Sequence, residues 1–185
     1  ENTWQAVSRM DYHWTDKHSV FGRYVILQDV QAHGTEIVPN LLNSNTEGLD
    51  ARVQAFTLGS TYLVSSTTVN AFRASVTRSR AHETGPDFFN LSDVGVTNYW
   101  CGGPNPNPRP TYARTFMNVN GAFVLGTGHT LGDKHWNQNL EMRDDLNLVR
   151  GAHQINFGGS LSLTRAYETD NFYTSGRWQF SGGGA

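Results

Sequence analysis

The sequence predicts an all-β fold: an antiparallel up-and-down β-barrel, or a segment of one, of about eight strands with long loops on one side. Three observations predict it. Long stretches alternate in character with a period of two, as strands do. Helical periodicity appears nowhere at length. The connections between candidate strands run short, long, short, long, short, as in a barrel with tight turns at one rim and long loops at the other.

The elements follow in order. From Trp4 to Trp14, the residues Trp4, Ala6, Ser8, Met10, Tyr12 and Trp14 fall on one face, and Gln5, Val7, Arg9, Asp11 and His13 on the other. The polar run Thr15 to Ser19 reads as a turn, and Val20 to Gln28 as the return strand. Residues 30–50 hold Gly34, Pro39, Asn40 and Gly48 and read as a long loop. Ala51 to Leu63 and Val69 to Arg80 make a second hairpin around Val64 to Thr68. Residues 81–110 make a second long loop, with a short helix expected over Phe88 to Asp93 and a Gly/Pro run from Cys101 to Pro110. Thr111 to Leu125 reads as one strand. His135 to Val149 and His153 to Ala166 form a hairpin around Arg150-Gly151-Ala152, and Phe172 to Phe180 is the last strand.

Composition narrows the class. The 185 residues suit one domain or part of something larger. A net charge of −2 gives no basic field for nucleic acid. Only Lys17 and Lys134 of the 14 basic residues are lysines, and arginine suits fixed hydrogen-bonded networks better than a solvated coat. No run of about 20 apolar residues exists, which a spanning helix needs and a membrane barrel does not. The lone Cys101 excludes an intrachain disulfide framework. No signal peptide is visible. The chain opens at Glu1 without Met and closes in Ser-Gly-Gly-Gly-Ala, which reads as a mature form or a fragment.

Candidate sites are few, and each has a plainer reading. His129, Asp133 and His135 have spacing suited to a metal ion, against a polar loop that binds nothing. Asp11, His13, Asp16 and His18 surround a turn whose polarity explains them without catalysis. Alternation puts Glu141, Arg143 and Asp145 on one face. Glu141 and Asp145 are the catalytic candidates of a hydrolase reading, since two carboxylates about 5–10 Å apart can cleave glycosides. A salt-bridge ladder is the plainer account. Trp100, Trp136 and Arg143 are the candidates for ligand contact. Trp14, Tyr24, Tyr62, Trp136, Phe157 and Trp178 fit an interfacial aromatic belt, and equally the exposed rings of a soluble sugar-binding β-protein; the sequence does not separate the two. Ser65, Ser66 and Ser160 lack a nucleophile elbow, and no phosphate-binding or dinucleotide fingerprint calls for a cofactor.

Several runs resemble barrel hairpins of the TonB-dependent outer-membrane receptors, in their Oar-like branch. Arg9-Met10-Asp11-Tyr12, the short turn, and Phe21-Gly22-Arg23-Tyr24 resemble its R-x-D-aromatic and F-x-R-Y strands. Thr67 to Arg73 is similar to its T-x-V-N-E-F-R strand start, with Ala71 in place of Glu. Asp144 to Gly159 resembles its D-x-L-x-x-x-R-G-x-H-x-x-x-F-G-G hairpin, and Gly176 to Gly182 its G-x-x-x-F-S-G strand. The resemblance covers most of the chain and implies an internal barrel segment, since no TonB box, plug or terminal aromatic strand is visible. It implies residence in the outer membrane of a Gram-negative-type bacterium. The implied partners are membrane lipid, the remaining barrel and plug, and an external small-molecule or saccharide ligand in transport. The alternative is a small β-barrel hydrolase, acting on a saccharide or ester and derived from such a segment.

Overall fold

Long two-faced strands pair in register because a slip of one residue would turn every side chain to the wrong face. Six do so here. The computed structural model describes residues 1–85, 95, 116–126, 134–169, 173 and 177–182. The strands are β1 (Asn2–Thr15), β2 (His18–Gln31), β3 (Gly48–Ser65), β4 (Thr68–Thr84), β7 (Lys134–Arg150) and β8 (His153–Thr169). They form one antiparallel sheet in the order β1-β2-β3-β4-β7-β8.

Three short strands make a second sheet. β5 (Phe116–Val119) and β6 (Phe123–Leu125) are a hairpin, and β9 (Arg177–Phe180) lies parallel to β5. Thr111 to Leu125 is therefore not one strand. Where it is described it breaks at Asn120-Gly121-Ala122, with Gly121 at φ +77°, a conformation that glycine adopts at little cost. β4 pairs directly with β7, so residues 85–133 make one connection between neighbouring strands. The helix expected over residues 88–93 lies outside the described residues.

All three short turns lie at one end of the large sheet. They are tighter than the sequence suggests: pairing runs on through polar residues to leave Asp16-Lys17, Ser66-Thr67 and Gly151-Ala152. The long connections gather at the other end. The first holds a single helical turn, α1 (Gly34–Ile37), and a 3-10 turn (Leu41–Asn43). His33 caps α1 by accepting from Glu36 N, and Asn40 caps the 3-10 turn by accepting from Leu42 N. The fully buried Ser44 Oγ accepts from Gly126 N at 2.9 Å, which ties this loop to the small sheet.

The two faces of the large sheet differ throughout. One carries Met10, Tyr12, Phe56, Leu58, Phe72, Val76, Leu140, Met142, Phe157, Leu161 and Leu163, largely exposed despite being apolar. The other carries Arg9, Arg23, Thr57, Ser75, Asn139, Glu141, Arg143 and Ser162. On β7 the apolar stripe runs from Leu140 to Leu148, about 27 Å of strand, broken at Asp144. Its upper limit on β3, β4, β7 and β8 is one cross-strand row, Phe56, Val76, Leu140 and Leu163; it reaches one row farther on β2, at Ile26, and two farther on β1, at Trp4. With 14 to 18 residues each, the strands outrun the band, chiefly toward the long loops.

A glycine fits one close approach. Phe21 lies on the polar face with its ring flat across Gly59 of β3, where a Cβ would collide with the ring. The Arg9 guanidinium covers the same ring 4.4 Å from its centroid. Gly22, on the apolar face, meets only Leu58 at van der Waals distance. Gly59→Val is expected to destabilise the fold by about 1–3 kcal/mol through overpacking, and Gly22→Ala to stay within about 0.5 kcal/mol of the parent. Urea-unfolding midpoints measured side by side check the pair.

Candidate functional site

The polar face concentrates its charge in a belt across the strands. In β1, Arg9 and Asp11 are two apart and share that face; in β7, Arg143 and Asp145 repeat the arrangement. Each arginine grips its aspartate with two bonds. Arg9 Nε and Nη2 donate to Asp11 at 2.8 and 2.6 Å, and Arg143 Nε and Nη2 to Asp145 at 2.7 and 3.1 Å. Forked guanidinium–carboxylate pairing of this kind fixes both side chains.

Cross-strand register gives the forks their purpose. Arg9 lies directly opposite Arg23, and Arg73 directly opposite Arg143. Like charges placed so are destabilising. In both pairs one arginine is held by the aspartate of its own strand, and Asp145 also feels the field of Arg73. Arg23 and Arg73 remain exposed, without a hydrogen bond or ion pair among the described residues. Glu141 lies on the same face opposite Ser75 and Ser162. A recess of about 780 Å3 opens beside Arg73, Arg143 and Asp145, with Asn147, Asn156 and Ser160 in its wall. Gly158 and Gly159 border it, and Gly158 makes room for Asp145. This surface can hold a ligand with acidic groups and hydroxyls.

The sequence-predicted residues divide between faces and ends. Glu141 and Asp145 share the polar face but stand four residues apart on one strand, a Cα separation of about 13 Å. Both oxygens of Asp145 are taken by Arg143. Trp136 lies on the opposite face from Arg143, beneath the Arg78 guanidinium at 5.6 Å, so these two do not form one site. His135 sits near the long loops between Glu83 at 3.8 Å and Glu168 at 3.2 Å. Among the described residues no group of three His, Cys, Asp or Glu is placed to hold a metal. Trp100, Cys101, His129 and Asp133 lie outside the described residues.

The residues around the first turn do not converge either. Asp11 and His13 are on the polar face, and His18 is on the apolar one, bonded to Ser60 Oγ at 2.8 Å. His18 lies 5.4 Å from Tyr62 and stacks with Trp14, which meets Tyr12 edge-on. These rings form an aromatic cluster on the apolar face beside the short turns. Asp144 interrupts that face nearby, and Asn70 Nδ2 donates to it at 2.7 Å.

A family model described as an outer membrane beta barrel domain matches residues 1–185. No curated protein and no solved structure matches the chain.

Opposed arginines make a reciprocal prediction. Asp145→Asn frees Arg143 against Arg73 and is expected to lower the urea midpoint, more at low salt than at high. Adding Arg73→Gln is expected to restore it. A double variant no more stable than Asp145→Asn alone would contradict the pairing.

Proposed function

The chain belongs to the outer membrane β-barrel domain family, and from that premise we propose that it forms part of the wall of a TonB-dependent receptor barrel of the Oar-like branch, which binds an external ligand and carries it inward. The observation that carries the reading is the pair of open edges. Among the described residues, β1 and β8 end the sheet, and each presents a full-length ladder of unpaired backbone groups. Hydrocarbon does not tolerate such edges, so further strands complete the wall. That fits a large receptor barrel better than a small closed one. The hairpin motifs of β1–β2 and β7–β8 support the same reading.

The apolar face then meets lipid and the polar face lines the lumen, with the short turns at the periplasmic rim. The free guanidiniums of Arg23 and Arg73 and the amides and hydroxyls around them suit an acidic small molecule or acidic saccharide. Bidentate contact with a carboxylate or phosphate is what arginine offers there.

Uptake in whole cells tests this. Cells carrying the full-length protein, cells lacking it, and cells complemented with Arg23→Gln/Arg73→Gln are given a panel of fluorescent acidic oligosaccharides and their neutral analogues. Accumulation of an acidic probe is expected only with the intact protein, to collapse with a protonophore, and to fall about tenfold in the variant. Equal accumulation in all three strains would contradict the proposal.

A further inference from the structure

Above the apolar band, on the side of the long loops, the lipid-facing surface changes character. Arg52, Arg78, Arg80, Lys134 and Arg165 all point from this face, and all are exposed. Asp50 is the carboxylate among them. Over the same strand segments the lumenal face carries Asp29, Glu83 and Glu168 and, among the described residues, no lysine or arginine. The wall is thus basic outside and acidic inside over the same strand segments. A general excess of charge on protruding strands would not sort itself by face in this way.

Aromatic rings mark the level independently. Trp4, Trp136 and Tyr167 lie on the lipid-facing side in the row that also holds Arg52 and Arg80. Trp4 is 45% and Tyr167 61% exposed. Tryptophan and tyrosine concentrate where acyl chains give way to headgroups. The cations therefore stand at headgroup height in the leaflet that faces the long loops.

Their arrangement leaves charge unspent. Arg52 lies directly opposite Arg80. Its Nε donates to Gln28 at 2.6 Å, Gln28 donates to Asp50, and Arg80 approaches Asp50 only to 3.9 Å. Arg78 covers the Trp136 ring. Arg165 is level with Arg78, two strands away across Gln138, about 10 Å. The side chains of Arg165 and Lys134 make no hydrogen bond or ion pair among the described residues. Two groups of cations at this spacing suit a lipid with more than one phosphate, each held by guanidinium forks.

We propose that this girdle is a binding surface for the phosphate groups of an outer-leaflet lipid, such as a phosphorylated glycolipid. The site lies on the outside of the barrel, and its test is indifferent to whether anything passes through the lumen. It rests on the assignment of the apolar face to lipid.

The full-length protein is placed in nanodiscs, with lipid A bearing two phosphates or none as the probe, and bound lipid is counted by native mass spectrometry. Wild type is expected to retain the diphosphorylated form at least tenfold more tightly than the dephosphorylated one. Arg78→Gln/Arg80→Gln/Arg165→Gln is expected to lose that preference, with heat-modifiable gel mobility confirming the fold. Should the triple variant not assemble, Arg165→Gln alone is expected to lower retention about threefold. Arg150→Gln removes one cation at the opposite rim and is expected to leave retention unchanged. Equal retention of the two lipids by wild type, or an unchanged preference in the variants that remove girdle cations, overturns the proposal.

Discussion

Everything in this wall depends on the two-residue period of the β-strand. Each strand separates two unlike surroundings, and its side chains must be sorted between them at every step. Once β3 is aligned so that Phe56 and Leu58 face outward, Thr57 and Gly59 must face inward. The same parity passes through the hydrogen-bonded ladder to all six strands of the large sheet. Register is fixed by the cost of exchanging faces, and hydrocarbon adds the demand that no backbone group inside the band go unpaired.

Charge is arranged within that frame by height as well as by face. Near the middle of the lumen, opposed arginines are tolerated because Asp11 and Asp145 hold one member of each pair. Toward the long loops the lumen turns acidic and the outer surface basic. At the other rim, Tyr12, Trp14, His18 and Tyr62 form the lower aromatic cluster. Strands of 17 and 18 residues make this layering possible, because about ten residues already cross the apolar core.

Alternation made the faces of β1, β2, β4, β7 and β8 legible in the sequence, and the loop lengths showed which rim was which. Parity alone also separates Trp136 from Arg143. What the sequence could not show is adjacency between distant strands. Arg73 and Arg143 are 70 positions apart, and only the pairing of β4 with β7 makes them face each other. The break at Gly121 was signalled by the Asn120-Gly121 dipeptide, but the strand-like residues on both sides, Phe116 to Val119 and Phe123 to Leu125, read through it as one strand. Turn lengths were overestimated at Thr15 to Ser19 and Val64 to Thr68, since polar residues outside the apolar band still complete the ladder.

The central claim is that alternate residues of each long strand meet lipid and lumenal water. Spin labels placed singly from position 138 to position 146 of β7, in a Cys101→Ser background in lipid nanodiscs, test it through collisions with oxygen and with a water-soluble nickel chelate. At 140, 142 and 146 oxygen is expected to dominate, and at 139, 141, 143 and 145 nickel, with a period of two. A flat profile along the strand, or the opposite phase, would contradict the account.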